Sequence, residues 1–164
     1  ASHGWHGNLL LARSNVLQDL RPLHLPGLEP RGALIADLSV HGVSLRVIAT
    51  HFGLLRRSRS RQASILLEAA HSALKPTILV GDLNEWRLRS RSSLIKLLPH
   101  FGPLYSALPS FPSRYPLLAL DRIMAKPPSL ISSIEVHQTA LSQVASDHLP
   151  IKACLNIEPD QMGD

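Results

Sequence analysis

Apolar runs of strand length that stop on ionisable side chains constrain this chain more than any other feature. Thr77-Ile78-Leu79-Val80 leads straight into Gly81-Asp82-Leu83-Asn84, and Leu149 to Leu155 leaves from Ser146-Asp147-His148. Ala49-Thr50-His51-Phe52 ends another run on a histidine, and Leu120-Asp121-Arg122-Ile123 sets a carboxylate beside one more. A short run that is apolar throughout is the kind a sheet covers on both faces. Packing gives no reason for carboxylates and imidazoles at the lip of such a sheet. Holding a cation and moving protons does.

The neighbouring segments predict the scaffold. Ala33 to Val40 and Val43 to Thr50 flank a two-residue His41-Gly42 break, which makes a hairpin. Val43, Leu45, Val47 and Ala49 share one face by period-two alternation, and His51 continues that parity. Gly7 to Arg13 reads as the first strand, and the proline-bearing Asn15 to Pro30 as an extended connection. Arg56 to Ala73 has helical spacing, with Ala63, Leu66, Leu67, Ala70 and Leu74 on one side and Arg59, Arg61 and Glu68 toward solvent. Pro76 stops it. A second helix is expected over Ser90 to Leu98, with Leu94, Ile95, Leu97 and Leu98 buried. Phe101 to Pro116 reads as a long loop, a feature often tied to function. Leu117 to Met124, Leu130 to His137 and Leu149 to Leu155 complete the strands, and Pro150 sets the last at an edge or a first position. Strands arriving in hairpins with helices between them predict a mixed α/β sandwich.

Composition narrows the function classes. The 164 residues suit one domain, 1–164, and a 45% hydrophobic, 18% charged chain folds rather than staying disordered. A net charge of +5 suits phosphate-bearing partners. The single cysteine, Cys154, excludes an internal disulfide and a cysteine-based zinc cluster, and its apolar run suggests a small buried side chain. No stretch is apolar for 18 residues, so no membrane span is expected. Ala1-Ser2-His3-Gly4-Trp5 does not read as a signal peptide, and the expected location is the cytoplasm.

Taken in order, the four segments resemble the endonuclease/exonuclease/phosphatase superfamily, the deoxyribonuclease-I-like metal-dependent phosphohydrolases. The resemblance runs from about Gly4 to Ile157. Phe111-Pro112-Ser113-Arg114, shortly before Leu120-Asp121-Arg122-Ile123, resembles most the bacterial branch of uncertain substrate. The resemblance implies a four-layer sandwich of two packed mixed β-sheets flanked by helices, lacking the first strands. It implies a phosphohydrolase dependent on Mg2+ or Mn2+, acting on phosphodiesters through an activated water. The substrate classes it covers are nucleic acid, lipid headgroups and small phosphodiesters.

By the same resemblance Asp82 orients and deprotonates water, and Asn84 donates to a phosphoryl oxygen. Asp147 binds the metal with help from Asp82. His148 is the phosphate-contacting acid or base, Asp121 holds it in one tautomer, and His51 touches the scissile phosphate. Arg114 and Arg61 are the expected substrate contacts. Each has a plainer alternative in the residues alone. Gly-Asp-x-Asn is good turn chemistry, Asp121-Arg122 could be a surface ion pair, and Arg87, Arg89 and Arg91 could be a solvated face. Trp86 is expected to be a packed indole rather than a stacking platform.

One departure stands out. Members of the resembled family carry, ahead of the part matched here, a strand with an asparagine and a second strand ending in a metal-binding glutamate. Glu29, Glu68, Glu85 and Glu135 sit in other contexts. The chain is therefore expected to be a shortened form, cut from a longer protein or naturally so, with a thin metal site and an exposed sheet edge that invites self-association. The rival expectation is an inactive domain that binds phosphorylated ligands or nucleic acid.

Overall fold

The computed structural model describes residues 2–71, 75–87, 91–102 and 108–157. Leu74, Arg89, the Ser90 start of the expected second helix and 103–107 of the expected loop lie outside them.

The His41-Gly42 hairpin forms as its alternation predicts. Strands β4 (Arg31–Val40) and β5 (Val43–His51) pair antiparallel from Val40↔Val43 to Ala33↔Thr50. Helix α1 (Arg56–His71) then carries the chain back, so that β6 (Thr77–Asp82) lies parallel to β5. Strand β7 (Asp121–Lys126) adds antiparallel to β6. With β3 (Leu17–Leu25) at the other edge, the order is β3-β4-β5-β6-β7, a mixed five-stranded sheet.

Parity assigns the two faces. Ile35, Ile48, Leu79 and Met124 are direct register partners across β4 to β7, and all are buried on one face. Ala63, Leu66 and Ala70 of α1 pack there, together with Leu94, Leu97 and Phe101. Burying each large apolar side chain of this layer contributes roughly 1.5–3 kcal/mol. The opposite face presents Leu45, Val47, Ile78, Val80, Ile123 and Ala125. It packs on Ile131 of β8 (Ile131–Val136) and Leu155 of β9 (Ile151–Leu155), an antiparallel pair. A third antiparallel pair, β1 (Ser2–Trp5) with β2 (Asn8–Leu11), sits against β4 and β5. A short helix α2 (Ser142–Ala145) precedes β9. The architecture is thus the expected α/β sandwich: sheet packed on sheet, with helix outside.

Several local expectations are corrected. Leu17–Leu25 is a strand, not a connection; it tolerates Pro22 because it is the sheet's edge. Residues 91–100 wind as successive turns rather than a regular second helix, burying Leu94 and Leu97 while Ile95 stays 42% exposed. Leu117 is exposed, because pairing with β6 begins only at Asp121. Cys154 is exposed, since alternation turns Ile151, Ala153 and Leu155 inward and Lys152 and Cys154 outward. Arg59 is fully buried: its Nε donates to Ser93 Oγ at 3.0 Å and its guanidinium lies 3.5 Å from Glu85.

Candidate active site

Parallel strands β5 and β6 deliver their carboxyl ends to the same lip of the sheet, and antiparallel β7 begins there. Ligands bind beyond such strand ends in open α/β sheets. The register places His51 beside Asp82 and Asp82 beside Asp121 in one lateral row. All three share the parity of Val47, Val80 and Ile123, so they project from the face that meets the β8–β9 layer. His148 enters from that layer, in the loop ahead of β9. Residues 31 positions apart in β5 and β6 thereby meet two others that lie a further 39 and 66 positions along.

Gly81 makes this closeness possible. Its φ is +137°, and a β-carbon there would fall 1.8 Å from the Thr50 carbonyl oxygen of β5. Only glycine fits. The next residues turn sharply: Asn84 N donates to Asp82 Oδ1 at 2.8 Å, and Asn84 holds a φ of 50°. That is an Asx turn, which asparagine tolerates in the left-handed region. The turn uses Asp82 Oδ1 and leaves Oδ2 to the histidines, so turn chemistry and a reactive carboxylate coexist in one side chain.

Asp82 Oδ2 lies 3.3 Å from His51 Nε2 and 4.0 Å from His148 Nε2. Burial works to raise the Asp82 pKa, but the His51 hydrogen bond, the Asn84 N–H and the nearby imidazoles outweigh it and hold the carboxyl below its usual range. The far side of each imidazole fixes its tautomer. Arg31 NH1 lies 3.0 Å from His51 Nδ1, and a guanidinium can only donate, so Nδ1 accepts and Nε2 carries the hydrogen toward Asp82. His148 is held the opposite way, donating from Nδ1 to Asp121 Oδ2 at 2.8 Å. Burial alone would lower the His148 pKa; the Asp121 hydrogen bond and the charges of Asp121, Asp82 and Asp147 raise it above the ordinary imidazole value. Ser110 Oγ donates to the same Asp121 oxygen, and the Phe111 ring packs 4.8 Å from the His148 ring.

The remaining expected residues divide. Asn84 is buried and its Nδ2 donates to Phe52 O at 2.8 Å, so the amide expected to meet a phosphoryl oxygen is engaged with the backbone. Asp147 O accepts from Ser113 N at 2.7 Å, and Asp147 lines a hollow of about 450 Å³ with Ser113, Arg114, Tyr115, Gln143 and Ser146. Arg114 and Asp147 are thus brought together. Arg61 is exposed on α1 and lines neither the Arg114 hollow nor a second hollow lined by Arg56, Arg87 and Arg91. The Asp121-Arg122 pair is no surface ion pair. Arg122 is buried, donating to Asp121 O at 2.9 Å and to Glu85 O at 3.3 Å, while the Asp121 carboxylate serves His148. Sequence reasoning missed Arg31 and Ser110. Ser110 stands next to the quoted Phe111-Pro112-Ser113-Arg114 segment, whereas nothing local marks Arg31.

The described carboxylates do not by themselves fit a hard divalent cation, which takes about six oxygen ligands. Asp82 and Asp121 are committed to the turn, the serine and the imidazoles. Among the described residues no group of three or more His, Cys, Asp or Glu side chains is disposed to hold a metal ion.

Residues 1–148 match the profile of the Endonuclease/Exonuclease/phosphatase family. The chain belongs to that family. Among curated relatives, the uncharacterised Escherichia coli protein YbhP is 27% identical across 94% of this chain. The chain spans 64% of the length of YbhP. Among solved structures, a mannosyl-6-phosphatase from Bacteroides thetaiotaomicron superposes with a TM-score of 0.73 at 15% identity, covering 88% of this chain and 69% of that one. The D. rerio TDP2 structure with a single-strand DNA product gives 0.68 at 16% identity, covering 87% and 68%. At such identities these superpositions speak for the fold. The family is one of phosphoester hydrolases, and no described helix is long and apolar enough to cross a membrane.

Proposed function

We propose that this family member hydrolyses phosphoesters at the lip formed by β5, β6, β7 and the loop before β9, with phosphodiesters the preferred class. One observation carries the reading: His51, Asp82, Asp121 and His148 converge on a single row, with two imidazoles flanking one Asp82 oxygen. Phosphoryl transfer needs positioned donors around the phosphoryl oxygens, a base for water and an acid for the departing oxygen. His148 is suited to the acid role. Its Nδ1 is fixed on Asp121, its protonated form is favoured, and Nε2 faces the site. Asp82 Oδ2, kept ionised, is suited to accept a proton from water. His51 offers Nε2–H as a donor to the phosphoryl group. Asn84 we assign to shaping the turn rather than to touching the substrate. Arg114, at the hollow beside Asp147, is the proposed substrate contact.

The proposed substrates are phosphate esters such as nucleic acid, lipid headgroups or small phosphodiesters. Mg2+ or Mn2+, which the described carboxylates would not hold by themselves, enters the proposal only through its test. The full-length protein is assayed on bis-p-nitrophenyl phosphate and on nucleic acid with magnesium, with manganese and with chelator. Asp82→Asn and His148→Ala should each abolish turnover while circular dichroism stays unchanged. Normal rates in either variant refute the roles, and a chelator-insensitive rate refutes the metal. Ligand binding without any turnover in the unmodified protein would favour the rival reading of an inactive phosphate-binding domain.

A further inference from the structure

We propose that Arg56, Arg87 and Arg91 form a second anion subsite, which takes a further phosphate of a substrate whose scissile ester sits at the His51–His148 lip. The three guanidinium side chains line one hollow of about 310 Å³. This deepens the hydrolase reading above and rests on it.

Three like charges around one hollow repel each other, so something must hold them there. A single buried carboxylate, Glu85, contacts Arg87 directly and fixes the chain close to Arg56 and Arg91. Glu85 Oε1 accepts from Arg87 N at 2.9 Å, and Arg87 NH1 lies 3.7 Å away. Glu85 Oε2 accepts from Ser93 N at 2.8 Å and from Ser93 Oγ at 2.6 Å, which fixes the chain two residues beyond Arg91. The same oxygen faces the buried Arg59, one turn into the helix that Arg56 begins. Burial works to raise the Glu85 pKa, yet the Ser93 bonds, the Arg87 N–H and the Arg59 charge keep it ionised. The pin thus carries one negative charge against four guanidiniums, and the surplus faces the hollow.

Two further features point to an anion. The first turn of α1 holds no acidic residue, so its positive dipole end adds to Arg56 instead of being cancelled. Trp86, expected to be packed, is 48% exposed, and the Arg87 guanidinium stacks over its ring at 4.5 Å. Stacking orients Arg87 without neutralising it. The chain also bounds the distance to the reacting groups. Arg56 and Arg87 stand five positions beyond His51 and Asp82 respectively, so the Cα atoms of each pair lie within roughly 18 Å of one another. A compact monoester has no group to reach it; an ester with a neighbouring phosphate does.

The test measures binding by titration calorimetry, independently of turnover, with inorganic phosphate, pyrophosphate and a five-residue oligothymidylate as probes. The protein is compared with Arg56→Gln/Arg91→Gln and with a control, Arg13→Gln/Arg21→Gln, which removes the same charge elsewhere. Charge-assisted hydrogen bonds predict that the first double variant loses about tenfold or more in affinity for pyrophosphate or oligothymidylate, and the control much less. Preference for oligothymidylate assigns the second phosphate to a nucleic-acid backbone; preference for pyrophosphate assigns it to a compact bisphosphate. Equal losses in both double variants, or none in the first, overturn the subsite. On a His148→Ala background, which removes turnover, Arg56→Gln/Arg91→Gln should still cost the same factor in binding, so a failed hydrolase assignment and a failed subsite give different results.

Discussion

Replacing Asp37 with asparagine tests whether the structure separates stabilising carboxylates from reactive ones. Asp37 and Arg46 are register partners on β4 and β5, five residues along β5 from His51, or roughly 17 Å at strand rise. Arg46 donates from Nε to Oδ1 at 2.8 Å and from NH2 to Oδ2 at 2.9 Å, and Lys75 Nζ reaches Oδ2 at 3.0 Å. Arg46 NH1 also donates to Ala69 O at 3.1 Å, tying the sheet to α1. The Arg46 hydrogen bonds, aided by Lys75, overcome burial and hold the Asp37 pKa at about 2, against an ordinary 3.8. That difference corresponds to about 2.5 kcal/mol of stability at neutral pH. The cost of leaving a buried Arg46 uncompensated takes the loss for Asp37→Asn toward about 4 kcal/mol. For a chain of this size each kcal/mol moves Tm by about 2–4 °C, so a fall of about 5–15 °C is expected.

The sign with pH follows. A depressed carboxyl pKa contributes its stability above the ordinary value and loses it as pH falls through the folded value. The gap between Asp37→Asn and the unmodified protein should therefore be full above about pH 5 and shrink as pH approaches 2. Urea unfolding across that range reads it, and turnover well below Tm should be unchanged. A neutral-pH difference under about 0.5 kcal/mol, small beside the linkage value, or a gap that persists into acid, refutes the reasoning.

Asp121→Asn should keep the fold but lower turnover by roughly 10²–10⁴-fold, because His148 loses its anionic anchor and its tautomer. Undiminished rates would remove Asp121 from the site. His148 supplies the pH dependence: its raised pKa stabilises the fold fully below the ordinary imidazole value, and that contribution disappears as pH rises through the folded one. The alkaline limb of the rate profile should move to lower pH in Asp121→Asn, and an unmoved limb contradicts the pairing. Glu85→Ala should cost about 3–5 kcal/mol in chemical unfolding, since it strands Arg59 and the Ser93 and Arg87 N–H groups in a buried place. A loss below about 1 kcal/mol, the scale of an ordinary surface change, would show that Glu85 is not the pin.

The local sequence by itself determined the strands and the chemistry they end on. Period-two alternation marks Val43 to Ala49, a two-residue His41-Gly42 break admits only a hairpin, and Gly81-Asp82-Leu83-Asn84 announces both a turn and a carboxylate. These are short-range consequences of backbone sterics and burial, so neighbouring residues suffice to read them. Lateral register is different. His51, Asp82 and Asp121 become neighbours only because β5 and β6 run parallel and β7 returns antiparallel at a given offset, and no local pattern encodes that offset. Arg31 as the partner of His51, Arg59 and Glu85 as a buried pair and the engaged amide of Asn84 belong to the same class. A polar or charged side chain leaves water only if a partner awaits it, and here those partners lie 20 to 32 positions away. Tertiary structure, by choosing those partners, decided which of the ionisable residues face a substrate and which hold the fold.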